Sequence, residues 1–182
     1  MSLLRKNSMA QIIMVLMIIL GTLIGSHNTL AGMRKSAALV FTTGARGDGI
    51  GIQSDLRERS SAAYNMVVIA RKYLPEENSL MQNVLKTRTS LDAASSVKDK
   101  ALTDRLLETA VRDLHDVLNG MALSEKDAVY AQGQYTAFRS GGDRISHDPY
   151  NKVAESFNKS LSGFPAGFLG GLTGVKPLDL YE

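Results

Sequence analysis

The chain has 182 residues, 44% hydrophobic and 21% charged, enough for one domain with its own core and a terminal appendage. Because it contains no cysteine, disulfides, thiol catalysis, cysteine metal sites and a lipidated lipoprotein cysteine are excluded. The net charge of +3 comes from 21 Lys+Arg against 18 Asp+Glu, and from Ser26 onward the balance is 19 against 18. Such a body lacks the basic stripe that grips a phosphate backbone, so nucleic acid is not an expected partner.

Arg5 and Lys6 lie in a short tail over residues 1–8, and no acid occurs within residues 1–25. Residues 9–25, MAQIIMVLMIILGTLIG, are interrupted only by Gln11 and Thr22. As a helix they rise about 26 Å against a hydrocarbon core of roughly 30 Å. A charged start followed by an apolar run suits a cleaved signal peptide or a retained anchor. Thr29 and Ala31 make a poor A-x-A cleavage site, so the expectation is a single-span signal anchor. Cleavage would leave a secreted chain beginning near Gly32. Arg34 and Lys35 balance Arg5 and Lys6 across the span, leaving the side of the membrane occupied by the body open.

The glycines at 44–51 read as a loop between helices. Arg46-Gly47-Asp48 is a chance tripeptide on this reading, and the cluster has neither G-x-G-x-x-G spacing nor a following G-K-[ST]. From Ser54 a helix places Leu56, Ala63, Val67, Ala70 and Leu74 on one side and is expected to stop at Pro75. A second is expected to open on Pro75 and its acids, spacing Leu80, Val84, Leu91 and Ala94. The third has a stripe of Leu102, Leu106, Ala110, Leu114 and Val117, widened by Leu107, Val111 and Leu118, and stops at Asn119-Gly120. Its acids Asp104, Glu108 and Asp116 are expected on a solvated face with Arg105 and Arg112. A fourth has Ser124 as N-cap, with Gly133 weakening it, and RSGGDRISHDP after it is expected to be a loop around Gly141-Gly142. A last helix aligns Tyr150, Val153, Phe157 and Leu161.

Phe164-Pro165 should end that helix, since proline cannot continue its hydrogen bonding. The glycines beyond would let a non-helical or broken segment lie along the bundle, with Phe168, Leu169, Leu172 and Val175 tucked in. Gly167/Gly171 and Gly170/Gly174 also form G-x-x-x-G pairs, a sharper membrane reading. His27, His115 and His147 are scattered without ligand spacing, and no G-x-S-x-G elbow occurs. No metal, cofactor or catalytic residue is expected.

Across the last helix and tail, Tyr150, Asn151, Asn158, Phe164, Pro165, Gly174, Lys176, Pro177, Tyr181 and Glu182 fall in a pattern of YN, a later N, FP, a glycine-rich stretch, KP and an aromatic before E. This resembles the C-terminal signature of the LemA family. Arg59, Asn65, Val67, Arg71 and Tyr73 match the register of that family's first long helix, and Asn28 stands where it has a YN. His27 and Tyr64 depart from it, as do the inserted glycines at 44–51 and the interruption at RSGGDRISHDP, so the resemblance is to a divergent member. It implies a membrane-anchored antiparallel bundle without enzyme activity. Asn65, Asn151 and Asn158 are expected to make internal hydrogen bonds that hold helix register, with a place in a binding groove as the alternative.

The expected architecture is all-α: an antiparallel bundle of four to five helices over residues 26–163, preceded by the transmembrane helix at 9–25 and followed by a packed tail at 164–182. The expected function is a membrane-anchored scaffold or interaction protein with envelope proteins, or a second copy, as partners. A secreted helical binding protein and a hydrolase with an inter-chain site are the alternatives.

Overall fold

A computed structural model describes the backbone of residues 2–182 and the side chains of residues 8–182. Met1 and the side chains before Ser8 in the expected N-terminal tail lie outside the described residues. Seven helices and no strand occur among the described residues: α1 (Ser2–Thr43), α2 (Ile52–Ala70), α3 (Ser79–Ala93), α4 (Val97–Asn119), α5 (Glu125–Ser146), α6 (Tyr150–Ser162) and α7 (Ala166–Thr173). They form two compact units, one comprising the chain up to Ala38 with Lys152–Leu178, the other Leu39–Asn151 with Asp179–Glu182.

The second unit holds the bundle α2–α5. Cross-links fix its directions. Asp55 meets Arg144, Asn65 meets Gln134 and Tyr73 meets Asp127, so α5 runs antiparallel to α2. Ser60 reaches Asp92 and Tyr64 lies under Arg88, which makes α3 antiparallel to α2 as well. His115 stacks on Tyr135 at 3.7 Å between α4 and α5. The expected α2 residues Leu56, Ala63, Val67 and Ala70 are buried, and Met66 and Ile69 join them. Burial of each large aliphatic side chain contributes about 1.5–3 kcal/mol.

Several expectations are corrected. α2 ends at Ala70, before Pro75, and α3 starts at Ser79 because the Asn78 side chain accepts from the Leu80 N–H. Ser96 caps α4 and Ser124 caps α5. The buried face of α4 runs through Leu107, Ala110, Val111, Leu114 and Leu118, whereas Leu102, Leu106 and Val117 are exposed. RSGGDRISHDP is not a loop at its glycines: α5 passes through Gly141 and Gly142 to Ser146. The glycine-rich loop does occupy 44–51, with Gly44, Gly47 and Gly49 in the left-handed region and Asp48 accepting from the Ile50 N–H.

In the first unit, α1 is long and apolar enough to cross a membrane, with a mean hydropathy of 2.2 in its most apolar window and none of that window buried. Behind Phe164-Pro165, a cis peptide, the segment is broken: the two-turn helix α7 comes first and the residues from Gly174 to Glu182 are not helical. Gly174, at φ 74°, closes α7 in a Schellman arrangement, with the Val175 N–H donating to the Gly170 carbonyl at 3.0 Å. Phe168 and Leu172 are exposed rather than tucked in. Of the G-x-x-x-G positions, only Gly170 is buried; Gly171 faces open space and Gly174 is the cap.

Candidate functional site

Arg59 leaves α2 one turn beyond Leu56 and enters the bundle interior, only 1% exposed. A buried guanidinium is costly unless its donors are met. Here Nε donates to Asp104 Oδ1 at 2.8 Å, Nη1 to the Phe138 carbonyl at 3.1 Å and Nη2 to Glu108 Oε2 at 3.4 Å. Its plane also lies over the Phe138 ring, 4.0 Å from the centroid. The space comes from Gly141 and Gly142. A Cβ on Gly141 would stand 2.7 Å from Arg59 Cγ, and one on Gly142 would collide with Nη1. The paired glycines that suggest a loop by propensity therefore serve close packing inside a helix.

Asp104 is correspondingly not on a solvated face but buried. Its second oxygen accepts from the Tyr181 hydroxyl at 2.8 Å. Burial pushes the Asp104 carboxyl above the usual carboxylate range, while the Arg59 charge and the Tyr181 hydrogen bond pull it down. Burial, reinforced by the Asp104 charge, holds the Tyr181 hydroxyl well above the ordinary tyrosine range, so it remains a donor. Beside this hub opens a cleft of about 440 Å³. Five acids line it (Asp104, Glu108, Asp143, Asp148 and Glu182) against three arginines (Arg59, Arg105 and Arg139).

The tail is strapped down by amides. Asn151 Nδ2 donates to the Tyr181 carbonyl at 3.0 Å while its Oδ1 accepts from the Tyr181 N–H at 2.8 Å. Asn158 does the same with Leu178, at 2.9 and 2.8 Å. The Tyr150 hydroxyl donates to the Asp179 carbonyl at 2.8 Å, and its ring meets Phe41 edge-on.

The remaining expected residues are scattered. Asn65 Nδ2 donates to Gln134 Oε1 at 3.0 Å, tying α2 to α5. The Tyr73 hydroxyl donates to Asp127 at 2.7 Å and accepts from the Ser124 N–H. Lys72 and Tyr73 together hold the Asp127 carboxyl down at about 2. Asn28 is exposed on α1, Phe164 is 91% exposed, Pro165 precedes α7, and the Lys176 carbonyl, next to Pro177, accepts from Arg34 Nε at 2.8 Å. Asn151 and Asn158 thus hold the tail rather than helix register; Asn65 holds register.

Ser146 Oγ lies 3.0 Å from His147 Nδ1, a distance that invites a nucleophile–base reading. Both groups also contact the Asp143 carbonyl, at 2.7 and 2.8 Å. A ring nitrogen donating to that carbonyl has no lone pair for the serine proton, so the pair closes the end of α5. No three His, Cys, Asp or Glu side chains converge as metal ligands among the described residues. Sequence reading missed Asp104, Phe138 and the Gly141-Gly142 recess; an arginine in the middle of a buried helical stripe was the available signal. The chain matches no family model and no curated protein.

Proposed function

We propose that this protein is a membrane-anchored helical scaffold or interaction module of the LemA type, working without catalysis through a bundle whose chain is tethered to the bilayer by α1. The observation that carries the reading is the surface of α1: from Met9 to Leu20 its large apolar side chains are all at least half exposed. A helix apolar all round and uncovered by its own chain needs a nonaqueous surrounding. The hydrogen bonds that Tyr150, Asn151 and Asn158 make to the tail support the resemblance, as does the continuation of α5 through Gly141 and Gly142 to Ser146. Partners are envelope proteins or a second copy. Nucleic acid is disfavoured further because the bundle unit carries fourteen Lys/Arg against seventeen acids.

The test uses the absence of native cysteine. Ser95→Cys, at an exposed position between α3 and α4, is labelled in intact cells with an impermeant maleimide, alongside alkaline extraction and mass of the chain's N-terminus. A full-length chain that resists extraction is expected, and labelling reports the side of the bundle. A released chain beginning near Gly32 would replace this reading with the secreted binding protein.

A further inference from the structure

α7 offers two unlike faces. Gly170 is buried, and a Cβ there would stand 2.7 Å from Leu161 and 3.8 Å from Leu30, so this face is pressed against α6 and α1. Two positions either side of Gly170, on the opposite face of the helix, Phe168 and Leu172 are 64% and 60% exposed. Phe164, in the turn that precedes α7, is 91% exposed. Two large apolar side chains standing free on a two-turn helix, with a third in the turn before it, call for a cover.

The position of α7 on α1 says what that cover is. Leu30 lies thirteen residues beyond Met17, the centre of the apolar run, or about 20 Å along the helix axis. Half a hydrocarbon core is about 15 Å, which places Leu30, and α7 on it, some 5 Å outside, in the headgroup layer. Charge agrees. Within this compact unit, Arg34, Lys35, Lys152, Lys159 and Lys176 face a single acid, Glu155, among the residues with described side chains. Cations beside an apolar stripe suit a surface of acyl chains under anionic headgroups.

We propose that α7 is an interfacial helix that docks on the lipid bilayer. Phe164, Phe168 and Leu172 enter the acyl boundary while Arg34, Lys159 and Lys176 meet anionic headgroups. This rests on α1 spanning the membrane and adds a second, lateral lipid contact that fixes how the first unit stands on the surface.

The full-length chain is reconstituted in vesicles of phosphatidylcholine with a minor share of phosphatidylglycerol. Single variants Phe168→Cys, Leu172→Cys, Val15→Cys and Ser95→Cys each carry an environment-sensitive fluorophore, and lipids spin-labelled at shallow or deep positions serve as quenchers. The Phe168 and Leu172 positions should be quenched several-fold more by the shallow lipid than by the deep one. Val15 should show the reverse, and Ser95 neither. Quenching at Val15 without quenching at Phe168 and Leu172 overturns the proposal and leaves the anchor standing. No quenching at Val15 removes the anchor and this inference together. A label on α7 that is shielded only as protein concentration rises, and is untouched by lipid quenchers, assigns the face to a second copy and also overturns it.

Discussion

The Tyr181 hydroxyl donates to Asp104 at 2.8 Å, joining the second-last residue of the chain to a carboxylate already engaged by Arg59. Tyr181→Phe keeps the ring but leaves a buried oxygen of Asp104 without its donor. Chemical denaturation of the detergent-solubilised chain should show a loss of about 1–3 kcal/mol. An unchanged midpoint would mean that the hydroxyl contributes nothing.

The amide straps separate cleanly by hydrogen exchange. Asn158→Ala should accelerate exchange at the Leu178 N–H and Asn151→Ala at the Tyr181 N–H, each with a loss of about 1–3 kcal/mol from two hydrogen bonds. Asn151→Asp retains the acceptor and should restore protection of the Tyr181 N–H while lacking the bond to its carbonyl.

Two glycines of α5 should respond in opposite senses to alanine. Gly133 has nothing within 4 Å of its missing Cβ, so Gly133→Ala should stabilise by about 0.5–1 kcal/mol through helix propensity. Gly142→Ala drives a methyl into the Arg59 guanidinium and should cost about 1–3 kcal/mol despite the same propensity gain. A gain at both sites would refute the close packing of Arg59.

Asp127 supplies an acid-sensitive term. Its folded value of about 2 lies below the ordinary one of 3.8, so its contribution is complete above about pH 4 and is lost as pH falls toward 2. Thermal unfolding of Asp127→Asn across that window should fall less steeply than that of the parent chain. Asp104 acts in the opposite sense: its raised value means that the folded state loses stability as pH rises from the unfolded value through the folded one.

Repeating patterns and local punctuation were legible in the sequence. The α2 stripe, the Ser124 cap, the Asn119-Gly120 stop and the glycine loop all depend on residues within a turn or two of one another. Asp104 was not legible because its partners lie 45 and 77 positions away, and an acid on an amphipathic helix is ordinarily solvated. Gly141-Gly142 misleads for the same reason: propensity weighs the backbone of α5 alone, whereas the volume in question belongs to Arg59 of α2. The inverse error occurred at Leu102 and Leu106, apolar residues at helical spacing that face outward.

The straps from Asn151 and Asn158 touch only main-chain atoms of Leu178 and Tyr181. They are therefore blind to which side chains the tail carries at Asp179 and Leu180. Point changes there leave both straps intact. A one-residue insertion or deletion between 178 and 181 would disengage one strap and displace the Tyr181 hydroxyl from Asp104. In this segment, what inheritance must preserve is count rather than spelling.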